Sequence, residues 1–335
     1  MTEKTPPLIK RISAISLLLI LLLAAAIFFG ISMGSTGTGI KETLRSLLGY
    51  SDTDSMLHTI IWRIRFPRVL LAVLVGATLS IGGLVFQALL RNPLAEPYIL
   101  GISSGSGIGA IIGILAGFSR FPGVSLTAFA GSMGTLLLLF LISSGQEMLK
   151  RNTLLLSGVM INAFSAALIM FLISITQDSR LHNILFWLMG DLSMADITQV
   201  GILAGALIPC FVLIFCFSNT MNLFLMGKEL AQTMGVNIRA ATVTLLVVTS
   251  FMVSLTVSYC GPIGFVGLVM PHLLRLIFGP DHRVLVPACI FGGATYMVLC
   301  DLLARTLPEQ GEMPAGVITA MVGVPLFIIL LKRSG

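Results

Sequence analysis

Charge is what this sequence has little of. Asp, Glu, Lys and Arg together make up 10% of its 335 residues, where a water-soluble domain carries about 25%. A water-facing surface cannot be built from so few, and a soluble globular protein is excluded. Reactive clusters are missing as well. The five cysteines, Cys210, Cys216, Cys260, Cys289 and Cys300, lie in or beside apolar runs without C-x-x-C spacing, so they read as small packing residues rather than a metal or disulfide framework. His58, His182, His272 and His282 are scattered, and there is no H-E-x-x-H, no G-x-S-x-G and no G-x-x-x-x-G-K-[ST]. A membrane enzyme is therefore unsupported, no metal or cofactor is expected on this chain, and any ATP-derived energy must come from another chain. Glu96, Asp191, Asp281, Asp301 and Glu312 fall at or near the ends of apolar runs, which argues against the rival reading, an ion-coupled secondary transporter with ionisable groups at mid-membrane. The net charge of +6 needs no nucleic acid, since basic flanks facing anionic lipid account for it.

What is present is apolar length. Hydrophobic residues make up 56% of the chain, and ten runs approach the roughly 20 residues needed to cross a bilayer core: 12–33, 66–90, 95–117, 124–144, 153–176, 195–217, 240–260, 262–279, 284–305 and 314–331. The expected fold is an all-α polytopic membrane protein, one transmembrane domain over 1–335. The runs do not alternate as barrel strands do. The junction at Gly261-Pro262 is the least defined, because two runs meet there with almost no loop. The first run follows Lys10 and Arg11 like a signal peptide, but it is too long for a typical apolar region and lacks an A-x-A-type site, so an uncleaved helix is expected. With both termini inside, twelve basic residues fall on the inner side against eight outside, as the positive-inside rule requires.

The stretch "GISSGSGIGA" fits G-x-G-x-x-G/A at Gly105, Gly107 and Ala110. That fingerprint needs a strand before it and a helix after it, and the lead-in "RNPLAEPYIL" carries two prolines. Gly101, Gly105, Gly109, Gly113 and Gly117 instead recur every fourth residue, a small-residue stripe suited to close helix contact in lipid. Three further regions break the apolar pattern. "WRIRFPR" crowds Arg63, Arg65 and Arg68 at the outer side, as snorkelling interfacial residues or as a basic docking surface outside the core. "MNLFLMGKELAQTMGVNIRA", residues 221–240, is the longest inner loop, either a solvated linker or a short rigid helix ended by Gly235. "RNPLAEP" is a stiff inner turn with Glu96 available to cap the next helix.

"IRFPR", "QALLRNPLAEPYILGISSGSGIG", "GPIGFVGLVMPHLLRLIFGPDHRVLVP" and "EMPAGVITAMVGVPLFIILLK", in this order from about residue 60 to the C-terminus, closely resemble the permeases of the iron-chelate, haem and vitamin B12 importer family, the type II ABC importers. The resemblance implies a ten-helix permease in the bacterial inner membrane that pairs with a second copy around a central path. It also implies two cytoplasmic ATPase subunits holding ATP and Mg, and a periplasmic or lipid-anchored binding protein. By position, Arg65, Arg68 and Arg305 would dock the binding protein. Residues 218–239 would form the coupling loop, centred on Gly227, Lys228, Glu229, Leu230, Ala231, Gln232, Thr233, Met234 and Gly235. Asn92, Leu94, Arg151 and Asn152 would form the cytoplasmic gate. Arg151 and Asn152 depart from the small hydroxyl residues of the vitamin B12 branch, and "LPEQGEMP" is more polar than that branch's alanine-rich stretch, which leaves the cargo open among vitamin B12, iron chelate and haem.

Overall fold

A computed structural model describes residues 8–34, 56–142, 151–176, 178–308 and 311–334. Among these residues the chain is helical, without strands. Helix α1 is Leu8–Ser32 and α2 is Phe66–Leu89, the latter extended at its start by a π-helical stretch, Ile60–Arg65. There follow α3 (Ile102–Leu115), α4 (Ser125–Ile142), α5 (Arg151–Ser174), α6 (Asp178–Leu188) and α7 (Ile197–Cys216). The chain continues through α8 (Ser218–Met226), α9 (Lys228–Thr233), α10 (Ile238–Cys260), α11 (Val266–Phe278), α12 (His282–Thr306) and α13 (Ala315–Ser334). Seven helices are long and apolar enough to cross a membrane, and α3, α11 and the Ala315–Leu330 part of α13 are shorter apolar helices. Together these account for the ten expected runs. The helix α6 was not among them.

Two runs are shorter as helices than as apolar sequence, for local reasons. In 95–117, Pro97 opens a 3-10 stretch, Pro97–Leu100, and Gly101 at φ 86° turns the chain before α3 begins. At 1.5 Å per residue the 14 residues of α3 cover only about 21 Å. In 262–279, the segment Gly261–Phe265 is not helical and α11 starts at Val266. The π-helical turn before α2 coincides with Pro67, which has no N–H to give to the preceding turn.

The centre of the bundle is α2. Of its best apolar window 83% is buried, against 22% for α1 and for α5. Its glycines set the approach of its neighbours. A Cβ on Gly76 would lie 2.2 Å from the Gly293 carbonyl oxygen of α12, and one on Gly83 would lie 1.7 Å from the Gly267 carbonyl oxygen of α11. These helices touch backbone to backbone, the packing that replaces the hydrophobic effect between helices in lipid.

The expected glycine stripe is three residues long rather than five. Gly105, Gly109 and Gly113 face α4, where a Cβ on Gly109 would sit 2.1 Å from the Thr127 carbonyl oxygen and one on Gly105 2.6 Å from that of Gly131. Gly131 of α4 reciprocates, 2.3 Å from the Gly105 carbonyl oxygen. Gly101 and Gly117 lie outside α3, both with positive φ (86° and 77°), and have turning roles; nothing is within 4 Å of a Cβ on Gly117. Gly109→Ala should therefore sharply reduce the monodisperse fraction of detergent-purified protein, because the clash is with backbone. Gly134→Ala, on the same α4 but with nothing within 4 Å, should leave it unchanged. Equal yields by size-exclusion chromatography would show that α3 and α4 are not packed this closely.

Candidate functional site

Three places in the bundle gather the residues expected to matter. At the end of the bundle expected to face outward, Arg65, Arg68 and Arg305 do converge from distant parts of the chain, but they are not exposed. Their relative exposures are 4%, 2% and 3%, and each guanidinium is engaged within the chain. Arg65 Nη1 donates to the carbonyls of Ile31 (2.9 Å) and Ser32 (3.2 Å). Arg305 Nη2 donates to Gly30 (2.9 Å) and Nη1 to Met33 (3.3 Å). Two arginines thus supply donors to the last carbonyls of α1, which have no intrahelical partner and carry the helix's partial negative charge. Arg68 Nε donates to Asp301 Oδ1 at 2.8 Å, and its Nη1 pairs with Glu312. Arg305 Nε lies 3.0 Å from Asp301 Oδ2, one helical turn away.

The expectation of an arginine set outside the core is corrected on this point. The set ties α1, α2, α12 and the segment before α13 together. Arg63, two residues from Arg65, is the exposed basic residue of that stretch. Arg65, Arg68, Arg305 and Glu312, with Gly34, Ile60 and Ile64, line a cavity of about 160 Å³. Sequence reasoning placed Asp301 and Glu312 at helix ends without seeing them as partners; the i,i+4 spacing of Asp301 and Arg305 was the available signal.

A further cavity, of about 510 Å³, lies between the turn after α3 and α6, lined by Phe118, Arg120, Arg180, Trp187 and Asp191 among others. Arg120 Nη1 pairs with Asp191 Oδ2 at 2.9 Å, and Ser193 donates to the same carboxylate through its amide and its hydroxyl, both at 2.8 Å.

The second place is the turn between α2 and α3, expected on the inner side. Asn92 Oδ1 accepts from the Leu94 amide at 3.1 Å, and Leu94 is 47% exposed. Arg151 and Asn152 open α5, but their side chains lie outside the described residues. Glu96 was expected to cap the next helix. It occupies the cap position of the 3-10 stretch, yet its side chain makes no capping bond. The stretch is held by other groups. Asn162 of α5 donates to the carbonyls of Tyr98 (3.0 Å) and Ile99 (3.1 Å) and accepts from Ser104 Oγ at 2.7 Å. The Tyr98 hydroxyl donates to the Ile263 carbonyl at 3.0 Å and accepts from the Ile263 amide at 3.1 Å.

The third place is the segment expected to couple to a partner ATPase. Gly227, at φ 127°, breaks the chain between α8 and α9, and Gly235, at φ 82°, ends the turn after α9. The Gly235 amide bonds back to Gln232 (2.9 Å) and that of Val236 to Ala231 (3.1 Å), so the short helix is closed by a left-handed glycine as expected. Ala231 is buried, while Leu225, Met226, Leu230 and Met234 are 46%, 68%, 44% and 63% exposed. Gln232 and Thr233 are exposed, and the side chains of Lys228 and Glu229 lie outside the described residues. Asn222 of α8 anchors the segment. Its Nδ2 donates to Asp281 Oδ1 and its Oδ1 accepts from the His282 amide, both at 2.8 Å. Hydrogen bonds from the Arg283 side chain hold the Asp281 carboxyl at a pKa of about 2, against burial, which pushes the other way. Asp281 also caps α12 through the Arg283 amide.

The outer cluster yields a stability test. Removing one partner of a buried ion pair costs about 3–5 kcal/mol, because the other charge is left uncompensated. Arg68→Gln and Asp301→Asn should each lower the thermal unfolding midpoint in detergent, and the double variant should lie above the sum of the two losses. Single variants that melt like the parent would return these groups to the surface.

Comparison with known proteins follows the same lines. Residues 20–333 match the FecCD transport family. The vitamin B12 import system permease protein BtuC of Salmonella typhimurium is 40% identical over 276 residues, 82% of this chain and 84% of that protein. The hemin transport system permease protein HmuU of Yersinia pestis is 38% identical over 312 residues, 91% of this chain and 92% of that protein. A solved structure described as an inward-facing conformation of a metal-chelate type ABC transporter superposes with a TM-score of 0.85 at 31% identity, covering 96% of this chain and 99% of that one. With ten apolar helices and these matches over nearly its whole length, the chain belongs to the FecCD transport family and is an ABC importer permease.

Proposed function

We propose that this chain is the membrane subunit of an ATP-driven importer that moves a large metal chelate, an iron chelate, haem or vitamin B12, into the cytoplasm through a path shared with a second copy of itself. Two ATPase subunits carry ATP and Mg on the inner side, where both termini lie, and a binding protein delivers cargo on the outer side of the inner membrane. The observation that carries the reading is α9. It is a short helix bounded by two positive-φ glycines, with Leu230 and Met234 exposed and Asn222 just before it bonded to the start of α12. Exposed apolar side chains on a rigid element outside the spans are what a partner surface would cover.

Asn92 and Leu94, with Arg151 and Asn152, would close the inner end of the path, and Asn162 gives that end a fixed support through Tyr98 and Ile99. Docking of the binding protein is assigned to the outer face around the cavity that Arg65, Arg68 and Arg305 line. With their guanidiniums held internally, these residues would act there through the positive potential at the cavity mouth and by fixing the outer ends of α1, α2 and α12.

Gln232→Cys should cross-link to a partner ATPase in membranes. Leu230→Ser with Met234→Ser should abolish co-purification of that ATPase while the permease itself stays monodisperse. Reconstituted vesicles should accumulate the chelate only with ATP inside the compartment facing α9. Modification of Gln232→Cys by an impermeant reagent added outside intact cells, or uptake driven by an ion gradient without ATP, would overturn the reading.

A further inference from the structure

From the open cavity beside the 3-10 stretch we infer that Glu96 and Ser103 form an electronegative subsite that accepts a cationic or N–H-bearing group of the cargo. The cavity, about 390 Å³, is lined by Glu96, Tyr98, Ser103, Asn162, Leu188 and Pro262 among others. Its polar groups divide into two kinds. Tyr98, Ser104 and Asn162 are consumed by the bonds that hold the turn: the hydroxyl of Tyr98 on Ile263, the amide of Asn162 on two carbonyls, and Ser104 on Asn162 and on the Gly101 carbonyl. The Glu96 carboxylate makes no such bond, not even to the helix end it precedes, and Ser103 stands one residue from Ser104 with its side chain partly exposed. The protein thus fixes the wall with one set of groups and leaves a carboxylate and a hydroxyl turned to the space.

A carboxylate only accepts hydrogen bonds. In a partly apolar wall, with Ile99, Ile169, Leu188 and Pro262 around it, it gains from an ammonium, amide or guanidinium donor and repels an anion. The nearest covalent scaffold is stiff. Pro97 follows Glu96 directly, Pro97 is buried, and Asn162 clamps the next two carbonyls, so the carboxylate is presented by a backbone that cannot easily fold it away. The inference deepens the importer reading, on which it rests for the identity of what passes. It favours a chelate with an amide- or ammonium-bearing rim over one whose rim is carboxylate.

The electronegative site can be tested without knowing the cargo and without the ATPase, so its failure is distinct from failure of the importer reading. The full-length chain, with its cysteines replaced by alanine and Ser103→Cys introduced, is reacted in proteoliposomes with 2-aminoethyl (cationic) and 2-sulfonatoethyl (anionic) methanethiosulfonate. In each reaction the thiolate displaces methanesulfinate and forms a mixed disulfide. Any effect of Glu96 on the thiol's own ionisation cancels in the ratio of the two rates. Relative to a small thiol in water, that ratio should favour the cation by about tenfold, as expected for one charge a few ångströms away in a partly screened site. Glu96→Gln should bring it to within about twofold of the small-thiol value. Ile169→Cys, which lines the same cavity from α5, repeats the measurement should Ser103→Cys disturb α3. A ratio unchanged by Glu96→Gln at both positions overturns the subsite, and so does absence of labelling at both, which would mean the cavity is closed to ligands.

Discussion

Backbone that leaves the helix inside a membrane bundle has no water to bond with, and every irregular segment must be satisfied by the protein itself. The Tyr98 hydroxyl meets that demand at the break between α10 and α11, where it both donates to and accepts from Ile263. Around it, the Cys260 carbonyl accepts from the Asp191 amide at 2.7 Å and the Gly190 carbonyl from the Gly316 amide at 3.2 Å. Segments from before α7, before α11 and at the start of α13 are thereby joined by main-chain bonds. The late start of α11 follows from the break, and so does its glycine contact with α2. The turn between α2 and α3 depends on it too, since Tyr98 reaches Ile263 only from a 3-10 stretch that Asn162 holds in place.

The apolar runs were legible in the sequence because crossing a bilayer demands length, and length is a one-dimensional property. The left-handed glycine after α9 and the α3 stripe were legible for a similar reason, since both act within one helix or at its end. What escaped was set by partners far along the chain. Arg305 and Gly30 are 275 residues apart, and no local pattern separates an arginine meant for water from one meant for another helix's last carbonyls. Glu96 failed as a cap because a 3-10 stretch led by Pro97 offers fewer orphan amides than an α-helix would. The segment of α6, DSRLHNILFWL, was passed over because its charged and polar residues break any apolar run long enough to span.

The charges of the arginine cluster are spent on joining elements. Three guanidiniums meet two carboxylates and the end of α1, so the adjoining ends of α1, α2 and α12 are locked by groups that would be costly to separate in a dry setting. This is a different economy from that of an ion-coupled carrier, in which a buried charge must be free to change partners or protonation state. Arg68 and Arg305 share Asp301 within one cluster, and moving either would leave that buried carboxylate with a single guanidinium.

Rigidity is also unevenly distributed, and the pattern bears on how motion at the inner surface would travel. The best apolar windows of α2 and α12 are 83% and 67% buried, those of α5 and α7 only 22% and 28%. A well-packed pair of helices moves as a body, because close-packed interiors transmit displacement rather than absorb it. The coupling segment is bonded through Asn222 to the start of α12, not merely continuous with the loosely packed α7. A displacement of α9 therefore enters the bundle at one of its two best-packed helices, whose far end carries the buried arginine cluster. The lightly packed α5 carries Asn162 and so the support of the inner turn. Its apolar outer face can slide against whatever covers it without breaking a charge pair among the described residues.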